Sequence, residues 1–289
     1  MNRRDLLKTL PAWAAAPLAP AQAPARKARL RSALCAYSYR TALQDKAMTY
    51  HDLVRVAADT GVDGLDMTVY WFPSTSDDFL LPLKRLAFRS AVEIYSIAVR
   101  TEMTQSTREL QDKEVADIRK WVDVAERLGA GHIRVFGGRV PKGATEQQAA
   151  GWAVEVLNRA VEYAGAKGII LGLENHGGVT EQAATVLQII KQVNSPWVGI
   201  NLDTGNFRTD PFGQIQMCIP YAVNFQVKSE ITGEDGKRQP SDWERIIKMA
   251  AAAGYQGYLA LEYEAKEDPG TAVPRLLREL RRLTQKYSA

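Results

Sequence analysis

A carboxylate and an imidazole stand two residues apart in the segment GLENHGG, residues 172–178. Glu174 and His176 follow an apolar run, residues 168–173, that is typical of a buried strand. Side chains two positions apart on a strand point to the same side. In a barrel of parallel strands, such positions present reactive groups at the C-terminal mouth. The pattern therefore predicts a chemical site at this strand end.

Three more predicted strands end on an oxygen-bearing side chain. Asp203 lies in NLDTGNF, Gln226 in NFQVKSE and Glu262 in LALEYE, at separations of 29, 23 and 36 residues counted from Glu174 onwards. Each residue alone has a purely structural interpretation, such as an ion pair for a glutamate or an Asx turn for Asp203. Their joint occurrence at four successive strand ends predicts that they meet in one mouth.

Three carboxylates in one water-poor cup repel one another strongly unless a counter-charge is present. We therefore predict one divalent metal ion, with the following ligands: Glu174, Asp203, Gln226 and Glu262. An all-oxygen donor set favours Mn²⁺ or Mg²⁺ over zinc. Mn²⁺ is the first expectation, with Mg²⁺, Co²⁺ and Zn²⁺ as alternatives.

The segments that position these residues alternate between strand and helix patterns. Strands are predicted at residues 30–37, 64–67, 92–99, 132–136, 168–174, 197–203, 222–228 and 257–263. Helices are predicted at residues 50–60, 79–90, 109–128, 145–167, 181–193, 213–219, 242–253 and 273–287. Eight such units over about 260 residues imply an α/β fold, a single closed (β/α)8 TIM barrel. An open doubly wound sheet is the competitor, but no Gly-x-Gly-x-x-Gly turn follows any strand.

The first 25 residues have a different composition. A basic start, residues 2–8, precedes a weakly apolar Ala/Pro/Leu segment with small residues at 21–25, the layout of a cleaved export signal. Arg3 and Arg4, followed by Leu-Leu-Lys, are similar to a twin-arginine signal, the alternative being a disordered basic tail. We predict a signal at 1–25, a barrel domain at 26–289 and a periplasmic or otherwise extracytoplasmic location. The apolar part is too short and proline-rich for a membrane anchor.

Composition is that of a soluble globular protein, with 289 residues of which 46% are hydrophobic and 24% charged. The formal charge is +4, and removal of residues 1–25 takes away three basic residues and one acidic residue, which leaves +2. This charge gives little support for nucleic acid as a partner. The two cysteines, Cys35 and Cys218, lie in apolar stretches and are expected to be buried free thiols.

Four segments together, LENHGG, LDTGNF, VNFQVKSE and ALEYE, resemble the sugar phosphate isomerase/epimerase family of xylose isomerase-like TIM barrels. The similarity spans essentially all of residues 26–289. The resemblance implies that Glu174, Asp203 and Glu262 bind Mn²⁺ or a similar ion and that the two glutamates move protons on the substrate. For Gln226 the implication comes through the hydroxypyruvate isomerase-like branch, because many members have histidine there.

The related endonuclease branch of this fold binds three zinc ions through many histidines. This chain has three histidines, and Asn206 stands three residues after Asp203, where that branch places one. A trinuclear zinc site cannot be assembled from so few imidazoles. The sequence therefore disfavours DNA repair.

The resulting hypothesis is a metal-dependent carbohydrate isomerase or epimerase, or a related keto-sugar lyase, that works through an enediolate. Glu174 and Glu262 are the predicted proton-transfer pair. The alternatives are a non-catalytic carbohydrate-binding barrel and, less favoured, a metal-dependent hydrolase. An extracytoplasmic location favours a neutral sugar, an oxidised glycoside or a sugar acid as the substrate. A homo-oligomer is possible on the family resemblance.

Further side chains are predicted to contact the substrate: His176, Lys228, Asn206, Tyr37, Asp66 and Arg134. Lys228 shares a strand face with Gln226, and either contacts substrate oxygen or forms a structural salt bridge with Glu230 or a mouth carboxylate. His51, on a helix, and His132, at the start of a strand, are expected to be structural.

Overall fold

The computed structural model describes residues 27–233 and 235–289, so the predicted signal at 1–25 lies outside the described residues. Eight parallel strands close into a barrel and helices surround it, which confirms the predicted (β/α)8 fold. The strands are β1 (Arg29–Cys35), β2 (Gly64–Thr68), β3 (Glu93–Ala98), β4 (His132–Phe136), β5 (Ile170–Glu174), β6 (Val198–Asp203), β7 (Ala222–Lys228), β8 (Glu230–Thr232), β9 (Arg238–Pro240) and β10 (Gln256–Glu262). All except β8 and β9 belong to the barrel, in which β10 pairs with both β7 and β1.

The helices fill the connections between the barrel strands. They are α1 (Arg40–Gln44), α2 (Tyr50–Thr60), α3 (Asp77–Arg89), α4 (Arg108–Leu128), α5 (Glu146–Ala166), α6 (Ala183–Val193), α7 (Pro211–Cys218), α8 (Trp243–Ala252) and α9 (Pro269–Tyr287). Thr145 is the N-cap of α5, where it forms a reciprocal capping box with Gln148. Helix α4 ends at Gly129, whose φ of 85° is a left-handed conformation that glycine adopts without a steric penalty.

Alternation along each strand separates the apolar core from the polar interior of the barrel. On β6, Ile200 and Leu202 belong to the core beneath the helices, whereas Asn201 and Asp203 make polar contacts within the barrel. Each buried Ile or Leu contributes roughly 1.5–3 kcal/mol of transfer free energy. Because side chains alternate along β6, its apolar residues pack in the core while Asp203 faces the mouth of the barrel.

Several local features differ from the prediction. The first strand ends at Cys35, and a 3-10 helix at Ala36–Tyr39 carries Tyr37. The antiparallel pair β8–β9 follows β7, and strands of three residues are too short to show a hydrophobic period. Helix α9 begins at Pro269, four residues before the predicted start, because proline is well tolerated at the first helical position.

Both cysteines are buried and free, as predicted. Burial raises the pKa of both thiols, to about 12 for Cys218. Within the described residues, the helices are all too short or too polar to cross a membrane.

Candidate active site

A cavity of about 190 Å³ lies at the C-terminal ends of the barrel strands. Its lining residues are Tyr37, Tyr70, Arg100, Arg134, Phe136, Glu174, His176, Asn206, Lys228, Glu262 and Glu264. We name the charged and titratable group at this place the mouth cluster, which consists of Arg134, Glu174, His176, Asp203, Lys228, Glu262 and Glu264. The cluster draws its members from strands β4, β5, β6, β7 and β10 and from the segments that follow β5 and β10.

The register between neighbouring strands decides which of these side chains meet. Lys228 on β7 is level with Glu262 on β10, and Asp203 on β6 is level with Gln226 on β7. Glu174 on β5 is level with Asn201, two residues deeper than Asp203. The stagger of the barrel therefore separates Glu174 from the carboxylates of the later strands.

Glu174 is surrounded by donors. Nε of Arg134 lies 3.0 Å from Oε2 as an ion pair without directed hydrogen-bond geometry. Nδ1 of His176 lies 2.7 Å from Oε1, and the Asn206 amide donates to the same oxygen at 3.2 Å. Burial raises the pKa of Glu174, but Arg134 and His176 outweigh it, so the pKa lies below its usual range. Glu174 is therefore an ionised carboxylate with both oxygens engaged.

His176 is the exposed member of the mouth cluster. Its side chain is 52% exposed and its ring lies against Phe136, with 4.1 Å between ring centroids. Burial lowers the pKa of His176, but the hydrogen bond and charge of Glu174 outweigh it and raise the pKa above its usual range. This imidazole can meet a ligand while it remains paired with Glu174.

Lys228 lies at the centre of the other carboxylates. Its ammonium donates to Glu262 Oε1 at 2.8 Å, lies 3.3 Å from Asp203 Oδ2 and also contacts Glu264. Burial lowers the pKa of Lys228, but Asp203 and Glu262 outweigh it and raise the pKa well above its usual range. Burial raises the pKa of Asp203 to about 8 and that of Glu262 also upwards, against the effect of Lys228. Three carboxylates thus share one ammonium.

Below the mouth, five polar side chains form a continuous series of hydrogen bonds that we name the interior ladder. Tyr95 donates to Asn224 at 2.9 Å, and Asn224 donates to Asn201 at 2.8 Å. Asn201 then donates to Gln226 Oε1 at 2.8 Å, and Gln226 Nε2 donates to Asp66 at 3.1 Å. The direction of the series fixes the orientation of each amide, since every donor faces an acceptor.

The structure brings together seven of the ten predicted site residues on the wall of one cavity: Tyr37, Arg134, Glu174, His176, Asn206, Lys228 and Glu262. Asp203 reaches the same place through Lys228. Gln226 and Asp66 are fully buried in the interior ladder. Asp66 lies in the middle of β2 and does not line the cavity, and its predicted contact with the substrate stays a prediction.

Two charged residues of the cavity were missed from the sequence. Glu264 follows Glu262 by two positions in LEYE, a spacing that already places both carboxylates on one side of a strand. Arg100 follows β3 by two positions and its guanidinium lies 4.1 Å from the Tyr70 ring centroid. Both could have been found by extending the strand-end rule by one more pair of residues.

The predicted metal ligands do not fit a shared ion in the arrangement that the side chains adopt. Within residues 27–233 and 235–289, no group of three or more His, Cys, Asp or Glu side chains converges as a metal site would. Asp203 and Glu262 converge on Lys228, whereas Glu174 is held by Arg134 and His176. Both polar atoms of Gln226 are engaged in the interior ladder. Two cationic side chains, Arg134 and Lys228, offset the repulsion between these carboxylates.

The chain matches a known protein family. The profile of the Xylose isomerase-like TIM barrel family matches residues 54–283. A search of curated proteins finds no match. Many solved structures are similar, at identities that show the shared fold alone.

Three solved structures illustrate the likeness. D-psicose 3-epimerase with D-tagatose from Clostridium cellulolyticum H10 is 16% identical with a TM-score of 0.69, over 89% of this chain and 98% of that one. The probable 3-DHS dehydratase AsbF from Bacillus anthracis is 18% identical with a TM-score of 0.63, over 88% and 98%. The IOLI protein with a binding zinc atom is 12% identical with a TM-score of 0.72, over 89% and 97%. With its family profile matched over most of its length, this chain belongs to the Xylose isomerase-like TIM barrel family.

Proposed function

We propose that the chain is a carbohydrate isomerase or epimerase, or a related keto-sugar lyase, that moves protons through an enediolate. The observation that carries this proposal is the pair Glu174 and Glu262, which line one cavity of about 190 Å³ with a buried cation beside each. Family membership and the likeness to a D-psicose 3-epimerase support a carbohydrate as the substrate.

Proton transfer in this cavity follows from the charges around the two glutamates. Glu174 removes the proton from the carbon beside a substrate carbonyl, and the electron pair of the C–H bond moves onto the carbonyl oxygen. Arg134 and Lys228 stabilise the negative oxygen of the enediolate. Glu262 then returns a proton to the same carbon or to its neighbour. The opposite directions of the two pKa shifts, downwards for Glu174 and upwards for Glu262, suit a base and an acid.

The surroundings of the cavity support a substrate larger than one sugar unit. A second cleft of about 660 Å³ adjoins the cavity, and Arg100, Phe136 and His176 line both. On the other side, Tyr37 stacks on Trp71 with 6.0 Å between ring centroids. An aromatic face beside a polar cup suits the apolar face of a pyranose. We therefore favour an oxidised glycoside, with the reacting ring in the cavity and the second unit in the cleft.

The cofactor predicted from the sequence remains a prediction. A divalent ion, Mn²⁺ first, would supply a Lewis acid for the carbonyl oxygen when bound. The side chains predicted to hold it are Glu174, Asp203, Gln226 and Glu262, which do not converge on a shared ion in the arrangement that they adopt. Lys228 and Arg134 already lie against three of these groups, and the proton transfers proposed for Glu174 and Glu262 use side chains alone.

Export and assembly also remain proposals. A twin-arginine signal at 1–25 would carry the folded chain out of the cytoplasm. Replacement of Arg3 and Arg4 together by lysine should then leave the protein in the cytoplasmic fraction, and unchanged export of that variant would contradict the assignment. A homo-oligomer is tested by light scattering on the purified chain.

The decisive measurement is proton exchange in D2O, followed by NMR on a panel of keto-sugars and 3-oxo-glycosides. We expect deuterium at the carbon beside the carbonyl for at least one of them, and we expect Glu174→Gln to lower that rate by about 10²–10⁴-fold. Glu181→Gln, the same change at an exposed site seven residues later, is the matched control. Binding without exchange in the wild-type chain would instead favour the non-catalytic carbohydrate-binding barrel.

A further inference from the structure

We propose that the ammonium of Lys228 is the resident cation of this barrel mouth and takes the place that a divalent ion would fill between Asp203 and Glu262. The proposal concerns the charge balance of the site. Its consequence for catalysis, but not its consequence for metal binding, rests on the proposed function.

The position of the ammonium is the first argument. Nζ of Lys228 lies 2.8 Å from Glu262 Oε1 and 3.3 Å from Asp203 Oδ2, and it contacts Glu264 as well. An ion bound by both Asp203 and Glu262 would have to lie in the same small volume. Since like charges at such a distance repel strongly in a water-poor site, ammonium and dication cannot both be present there.

Lys228 is held in place by its backbone hydrogen bonds and by close packing of its side chain. Its backbone N–H donates to Thr204 Oγ1 at 3.1 Å, and its carbonyl accepts from the Trp243 indole at 2.7 Å. A Cβ added to Gly205 would lie 2.5 Å from Lys228 Cγ, so the glycine of LDTGNF leaves the room that the side chain fills. The side chain is only 6% exposed. Lys228 is therefore packed into the mouth and does not reach it as a mobile surface lysine.

The other two predicted ligands, Glu174 and Gln226, also have partners within the chain. Glu174 has Arg134 at one oxygen and His176 with Asn206 at the other. Gln226 offers its oxygen to Asn201, and its NH₂ group donates to Asp66. A divalent ion would have to displace two buried cations and break the interior ladder before it gained its ligands.

A resident ammonium has a consequence for catalysis. The ammonium donates hydrogen bonds to Glu262 and Glu264 and lies 3.3 Å from Asp203 Oδ2, and Glu264 is the most exposed of the three carboxylates at 33%. An entering carbonyl oxygen can take the N–H that Glu264 leaves, whereas Asp203 and Glu262 remain in place. Lys228 then balances the charge that arrives on that oxygen, and no redox partner or added base is needed, because the only transfer is a proton between carbon and a glutamate.

The test compares Mn²⁺ binding by the wild-type chain, Lys228→Met and the control Lys248→Met, whose lysine is exposed on α8. Binding is measured by titration calorimetry after exhaustive chelation. We expect weak binding to the wild type and to the control, and a dissociation constant lower by on the order of 100-fold in Lys228→Met, because two adjacent carboxylates lose their only shared cation.

Lys228→Arg guards against a variant that fails to fold. Because arginine keeps the charge, this variant should bind Mn²⁺ no more tightly than the wild type. A wild-type chain that holds one Mn²⁺ per chain at micromolar concentration, with no gain in Lys228→Met, would overturn the proposal.

The catalytic consequence is measured separately. Proton exchange by the wild type should survive treatment with EDTA, and exchange lost with EDTA and restored by Mn²⁺ would overturn the assignment of Lys228 as the cation. If no sugar undergoes exchange, the proposed function fails, but the calorimetric comparison still decides whether Lys228 occupies the cation position.

Discussion

The mouth cluster and the interior ladder are two buried polar regions that share strands β6 and β7, and their charges are balanced in different ways. In the ladder, a phenol and three neutral amides lead to Asp66, with each donor matched to an acceptor. In the mouth, four carboxylates meet two permanent cations and one imidazole. Each region leaves one carboxylate oxygen buried without a hydrogen bond, Oδ1 of Asp66 in the ladder and Oδ2 of Asp203 in the mouth, so the two regions differ in charge.

The difference separates structural from functional polarity. A network in which each amide oxygen accepts from its neighbour stabilises one arrangement of the barrel interior. An excess of buried negative charge costs stability, and it is retained where a ligand or a developing charge completes the balance. The ladder links strands β2, β3, β6 and β7, and the mouth is the region to which we assign the proposed proton transfers.

The largest loss of stability is expected when a cationic side chain of the mouth cluster is removed. Arg134→Met leaves the Glu174 carboxylate buried without its guanidinium, and it should lower the free energy of unfolding by about 3–5 kcal/mol in urea denaturation. Arg31→Met, which removes an ion pair whose members are about half exposed, should cost about 0–1 kcal/mol. Equal costs for the two variants would remove the distinction between mouth and surface ion pairs.

An intermediate effect is expected in the ladder. Asn201→Leu leaves Gln226 Oε1 without its donor and Asn224 Nδ2 without its acceptor, and each unpaired group should cost about 1–3 kcal/mol. Proton exchange per folded molecule should fall much less than in Glu174→Gln. A variant with wild-type stability and no exchange would instead assign the ladder to catalysis.

The smallest effect concerns the dependence of stability on pH. Burial, together with the charge of Arg134, lowers the pKa of His132 to about 3, while in the unfolded chain it is about 6.5. Below pH 6.5, His132 therefore binds a proton in the unfolded state but stays neutral in the folded state. The stability that neutral His132 contributes is complete above pH 6.5 and is lost as the pH falls towards 3.

His132→Gln should make the curve of unfolding free energy against pH flatter between pH 6.5 and 4. His51→Gln, on the outside of α2, should keep the wild-type slope because His132 is still present. A slope that is the same in all three proteins would show that His132 does not titrate differently in the folded and unfolded states.

The amino-acid sequence by itself determined the barrel and the residues at its mouth. Alternating apolar positions gave strands such as 132–136 and 222–228 with the bounds that the structure has. Because all strands of such a barrel run in the same direction, residues at their ends necessarily share one mouth. This is why Glu174, Glu262, His176 and Lys228 could be assigned to one cavity without coordinates.

The tertiary structure alone decided which charges neutralise which. The register shifts between Ile200 and Asn201 against β7, and between Leu65 and Asp66 against β3, and such irregularities change which side chains are level with one another. As a result, Gln226 and Asp66 meet each other in the ladder, and Lys228 lies between Asp203 and Glu262. The stagger of parallel strands depends on closure of the whole barrel, and no local pattern of residues encodes it.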